Sequence, residues 1–206
     1  LERRRHRHWF DRLIMLSDGV FAIAATLLSL DIHGPADWRT LPELWSGLIP
    51  QLSAYLLSFL VISIFWLAHR RFMAMITTVD APLTVLTLVM LGLVGLVPGI
   101  THIGPGRADG AGMQIYASLI TLIGLSMAGI WGYAALIARL VPPEVPNSSR
   151  WFQLLLMALT APFFLALTMN APFRSPFYPP IVLAGMFLIG WRMRVWVLKR
   201  LERKAT

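Results

Sequence analysis

Six apolar runs divide the chain, and short polar or Pro/Gly-rich joints separate them. The runs are Leu13–Ile32, Leu48–Leu67, Leu83–Ile103, Met113–Leu140, Trp151–Met169 and Tyr178–Leu198. A helix needs about 20 mainly apolar residues to cross roughly 30 Å of hydrocarbon, and each run meets that length. The second to fifth carry no Asp, Glu, Lys or Arg until their ends. The pattern predicts an all-α membrane protein of six transmembrane helices in a single unit over residues 1–206, with joints suited to antiparallel hairpins. The first run reads as a span and not as a cleaved leader, because it lacks a small-residue cleavage site and more spans follow.

Within that first run the side chains sort into faces at about 100° per residue. With Ile23 at 0°, Leu16, Leu27 and Leu30 fall within about 40° of it and form one bulky apolar stripe. Asp18, Ala22, Ala25 and Ser29 share the opposite side, a small and polar face suited to close packing against other helices of the subunit. Thr26 borders the stripe. Periodicity alone leaves two readings for Ile23, Leu27 and Leu30: they face lipid, or they face something built by the protein.

Composition narrows the class. Of the 206 residues, 57% are hydrophobic and 14% charged, against about 25% charged in soluble domains, which excludes an ordinary water-soluble enzyme and a disordered chain. The absence of cysteine excludes disulfides, a Cys-ligated metal and a thiol nucleophile. The net charge of +8 is a matter of placement. With six spans, Arg3, Arg4, Arg5, Arg7, Arg12, Arg70, Arg71, Arg139, Arg150 and the six cations from Arg192 to Lys204 share one side; Arg39, Arg107 and Arg174 take the other. That bias predicts cytoplasmic N- and C-termini. The basic ends read as topology determinants and anionic-lipid contacts, and no nucleic-acid-binding motif accompanies them. Most tryptophans lie near span ends, as interfacial aromatic belts do.

A membrane-embedded enzyme needs converging reactive groups, and none converge. Gly124-Leu125-Ser126 resembles the start of an intramembrane serine-protease motif, but Met127 and Ala128 follow where a closing glycine belongs. The histidines His6, His8, His33, His69 and His102 are dispersed, with no pair at metal-ligand spacing on one span. Neither an enzymatic activity nor a bound metal or cofactor is expected. Asp18 stands apart: a carboxylate about one turn inside a span costs several kcal/mol unless donors meet it, and marks a functional site by default.

The run Arg12-x-x-x-Leu16-Ser17-Asp18-Gly19-Val20-Phe21-Ala22-Ile23-Ala24-Ala25-Thr26-Leu27-Leu28-x-Leu30-Asp31-Ile32 resembles the opening helix of the transmembrane protein 175 family of potassium channels. Phe65-Trp66-x-x-His69-Arg70-Arg71 resembles the family's Trp-x-x-His element at the end of the second span. Two departures accompany the match: Leu16 stands where the family has Phe, and Leu83–Val97 offers Thr84 and Thr87 where the family usually has Asn. The resemblance implies a homotetramer in the bacterial plasma membrane, with four first helices around a central pore and no carbonyl selectivity filter. It implies that Ile23, Leu27 and Leu30 line the pore as apolar rings that gate by dewetting, with K⁺ and other monovalent cations as permeant ions. It places Arg12, Ser17, Asp18, Trp66 and His69 in a supporting polar network away from the ion. Thr26 reads either as a ring of hydroxyls near the constriction or as a packing residue. Asp31 reads either as a concentrator of cations at the outer end or as a solvated span-end charge. The alternative to a channel is an ion- or proton-coupled secondary transporter using Asp18, for which the sequence shows no inverted repeat.

Overall fold

The computed structural model describes residues 2–103 and 111–170. Among them the chain is helical and has no strand. The basic tail and the first apolar run form one continuous helix, α1 (Glu2–Leu27), which tightens into a 3₁₀ turn over Leu28–Asp31. Ile32 turns extended, and His33-Gly34-Pro35 ends the element. Helix α2 (Leu41–Met73) starts where Pro42 occupies the first turn and the Glu43 carboxylate accepts from the backbone N–H groups of Arg39 and Thr40 at 2.8 and 3.2 Å. These are donors that a helix start leaves without intrahelical partners. At 33 residues, α2 is about 50 Å long, well beyond the roughly 30 Å of hydrocarbon, so it tilts or projects from the membrane.

The third apolar run is broken. Helix α3 (Ala81–Gly95), capped by the Asp80 carboxylate on the Leu83 N–H at 3.0 Å, stops before Leu96, and a short α4 (Val97–Ile103) resumes. Pro98 is the cause: it has no N–H to donate to Val94, and its ring collides with that carbonyl in a regular helix. Hydropathy predicted one uninterrupted span over 83–103, because the proline and its flanking Gly95 and Gly99 lie inside an apolar run.

Helix α5 (Ala111–Gly132) widens into a π turn over Tyr133–Ile137, with the Ala138 N–H bonded to the Tyr133 carbonyl at 2.8 Å. Arg139 closes it in the left-handed region (φ 53°), and the Leu140 N–H reaches the Ala134 carbonyl at 2.8 Å. Helix α6 (Asn147–Asn170) packs back along α5. Its first residues present Arg150, whose buried guanidinium donates to the carbonyls of Ala135, Pro142 and Val145 at 3.0, 2.9 and 3.1 Å. A cation there satisfies one carbonyl at the end of the α5 run and two in the joint before α6, and meets the negative end of the α5 dipole. The expected sixth span, 178–198, lies outside the described residues.

Among the described residues, four helical stretches are long and apolar enough to cross a membrane: Trp9–Leu30, Leu41–Met73, Ala81–His102 and Ala111–Ile137. The core forms around α5, where Tyr116, Ile123 and Trp131 are fully enclosed with Leu83 and Met90 of α3. Trp131 stacks at a tilt on Phe72 of α2 and donates its indole N–H to the Arg150 carbonyl at 3.1 Å. Helix α1 lies against α2 and α3 at the side of this core.

Candidate pore-lining face and its buried support

Helix α1 meets its own subunit through Leu13, Ser17, Phe21, Ala24 and Leu28, all buried. This corrects the sequence expectation for the subunit-facing side. Ala22 and Ser29 are exposed, and Asp18 and Ala25 sit half-buried at the margin. Large side chains decide the matter: enclosing Phe21 and Leu28 removes far more apolar surface than enclosing alanines. What remains uncovered is the bulky stripe, with Ile23 60%, Leu27 41% and Leu30 67% exposed. The 3₁₀ turn sharpens it, since residues three apart eclipse in that geometry and Leu30 stands directly above Leu27.

Thr26 is exposed beside the stripe and donates its hydroxyl to the Ile23 carbonyl at 2.9 Å. Its oxygen lone pairs stay available on the open side. Ser29 donates likewise to the Thr26 carbonyl at 2.7 Å. The Asp31 side chain lies outside the described residues.

Behind the stripe, Asp18 accepts a hydrogen bond of 2.7 Å from the Trp66 indole N–H, joining α1 to α2 across 48 residues of sequence. Arg70, one turn on, places its guanidinium 5.3 Å from the Trp66 ring centroid. His69, on the same side of α2, is buried against Phe21, ring centroids 5.8 Å apart, and neither of its ring nitrogens has a hydrogen-bond partner. Of the expected network, the structure joins Asp18 and Trp66, while His69 lies beside them on α2 without a hydrogen bond. Two other members do not join the pair. Ser17 is buried, but its hydroxyl bonds back to the Leu13 carbonyl at 2.8 Å. Arg12 is exposed, on the stripe side of α1, and makes no hydrogen bond or ion pair among the described residues. Thr84 and Thr87 also bond back, to the Asp80 and Leu83 carbonyls at 2.9 and 2.8 Å, so neither hydroxyl donates into the network.

A second polar cluster escaped the sequence. Ser58 of α2, Thr101 of α4 and Tyr116 of α5 meet inside the bundle, with Ser58–Thr101 at 2.8 Å and Ser58–Tyr116 at 3.1 Å. All three are buried. The cluster ties α4, which lies beside α1 and its 3₁₀ turn, to α2 and α5. Its members stand 43 and 58 residues apart, and the one local signal was a hydroxyl at mid-span. No group of three or more metal-ligating side chains occurs among the described residues.

Residues 12–98 match the family model described as endosomal/lysosomal potassium channel TMEM175. The chain is 34% identical to a potassium channel of Streptomyces collinus over 145 residues, 65% of this chain and 68% of that one. It is 31% identical to a potassium channel of Chamaesiphon minutus over 144 residues, 63% and 68% of the two chains. With the rat endosomal/lysosomal proton channel TMEM175 it shares 25% identity over 145 residues, 67% of this chain and 28% of that longer one. The fold matches the crystal structure of a lysosomal potassium-selective channel TMEM175 homolog from Chamaesiphon minutus, with a TM-score of 0.67 at 23% identity, covering 91% of this chain and 97% of that one.

Proposed function

The chain belongs to the TMEM175 channel family, and on that premise we propose that it forms a potassium-permeable channel whose pore is lined by α1 of each subunit. The observation that carries this reading is the uncovered apolar stripe of Ile23, Leu27 and Leu30 on a helix whose other side is anchored to the subunit. Lipid would also satisfy those side chains. A lipid-facing stripe, however, needs no hydrogen-bonded carboxylate behind it holding the helix in one rotational setting. The Asp18–Trp66 bond fixes which side of α1 is presented, and that matters where the side lines a pore.

In this reading six helices form each subunit, four subunits surround an axis, and both termini are cytoplasmic in the bacterial plasma membrane. Four copies of each stripe residue stack as three apolar rings. A narrow apolar tube empties of water, and an ion that would have to shed its hydration does not enter. Opening separates or rotates the α1 helices until the tube wets. With no carbonyl filter, K⁺ is favoured over Na⁺ through its lower cost of dehydration, and the free lone pairs of Thr26 offer a partial substitute for water near the constriction. Asp31, at the outer end, concentrates cations.

The test is reconstitution of the full chain in a planar bilayer under a K⁺ gradient. A current reversing near the K⁺ equilibrium potential supports the channel; no current, or an anion reversal potential, sinks it. One observation favours the other reading, an ion-coupled transporter: the break between α3 and α4 resembles the discontinuous helices of such proteins. Unitary conductance decides between them, because carriers turn over far too slowly to give resolvable single-channel steps. Since the mammalian relatives are named as proton channels, the same bilayer under a pH gradient reads the proton permeability.

A further inference from the structure

We propose that Arg12 is a conduction determinant: a ring of its guanidiniums at the N-terminal mouth of the pore that repels incoming cations. The inference rests on the pore reading above. Helix α1 is continuous from Glu2 to Leu27, so the azimuth of Arg12 follows directly: it falls within about 20° of Ile23 and about 16 Å below it. It is exposed on that face, in line with Trp9, Leu16, Ile23 and Leu27. No partner among the described residues neutralises it. Asp11 is exposed too but points about 100° away around the helix, and Asp18 is engaged by Trp66. From Trp9 to Leu30 the stripe carries no acidic side chain. A straight α1 that turns Ile23 and Leu27 to the axis turns Arg12 to the same side.

A cluster of like charges at a mouth depletes cations there and lowers the current entering from that side, while current in the other direction suffers less. The effect follows the Debye length, about 30 Å at 0.01 M salt and about 3 Å at 1 M.

Single-channel recording of Arg12→Gln, Arg12→Lys and Arg12→Cys tests this. Arg12→Gln is expected to raise unitary K⁺ current entering from the N-terminal side about twofold at roughly 0.01 M KCl, with little change at about 1 M. Arg12→Lys is expected to match the parent. The chain has no cysteine, so Arg12→Cys gives thiol reagents one target per subunit in assembled channels. A cationic reagent is expected to restore the parent current and an anionic one to raise it further. Equal effects of the two reagents, or a loss of current in Arg12→Gln that is the same at both salt concentrations, assign Arg12 to structure and overturn the inference. Absence of K⁺ current from the parent chain overturns the pore reading, and this inference with it.

Discussion

Asp18 has a single donor among the described residues, the Trp66 indole at 2.7 Å, and the pair is the one side-chain hydrogen bond that joins α1 to α2 there. A hydrogen bond to a charged group contributes about 1.5–3 kcal/mol, and a half-buried carboxylate that loses it regains part of that from water. Trp66→Phe is therefore expected to lower unfolding stability by about 2 kcal/mol in detergent, and Asp18→Asn, which keeps an acceptor, by less. Equal losses in both variants, read by thermal unfolding, contradict the bond as drawn. Arg150 gives a contrasting case, a buried cation whose three acceptors are all backbone carbonyls. Arg150→Met strips those carbonyls of their donor and is expected to cost about 3 kcal/mol while leaving unitary conductance unchanged, because the site lies at the α5–α6 turn away from the stripe. A conductance change without a stability change runs against that assignment.

Among the elements, α4 is the one whose position depends on a break. Pro98 separates it from α3, and the Ser58–Thr101–Tyr116 cluster holds it beside the 3₁₀ end of α1. Pro98→Ala allows a Val94 carbonyl bond and removes a penalty of about 3 kcal/mol for a helix interior. It is expected to slow amide exchange over residues 95–99 and to alter gating by drawing Thr101 away from Ser58. Unchanged exchange places the cause of the break elsewhere. The element scale also shows what the sequence could and could not disclose. Spans were legible because about 20 apolar residues are a physical requirement for crossing lipid. The break was not, since Gly95, Pro98 and Gly99 barely alter the hydropathy of their run. The wheel of α1 isolated the stripe that stays uncovered, yet it assigned the subunit-facing side to Asp18, Ala22, Ala25 and Ser29, where the structure buries Leu13, Ser17, Phe21, Ala24 and Leu28. That choice rests on Phe21 meeting His69 of α2 and on the 3₁₀ turn with Leu28 lying against α2 and α4, all distant in sequence.

For the whole molecule, the exposed stripe and the exposed Arg12 in line with it describe a subunit whose α1 is finished only on one side. The pairing of Asp18 with Trp66 was legible through a resemblance spanning two short motifs. The Ser58 cluster was not, because its members converge only through tertiary packing. What the unfinished side meets separates a channel from a lipid-embedded bundle, and Leu27 discriminates most sharply. It is the stripe residue nearest the 3₁₀ turn, stacked under Leu30, and the less exposed of the two. Leu27→Asn places four amides in an apolar ring and lowers the barrier to wetting; a decrease of about 1.4 kcal/mol corresponds to tenfold in rate. K⁺ efflux from loaded liposomes is expected to rise by at least about tenfold over the parent. If the stripe faces lipid, the same substitution buries an amide in hydrocarbon at a cost in stability and leaves the efflux unchanged. Measured together, efflux and thermal stability move in different combinations for the two arrangements: raised flux with near-parent stability for the pore, parent flux with lost stability for lipid.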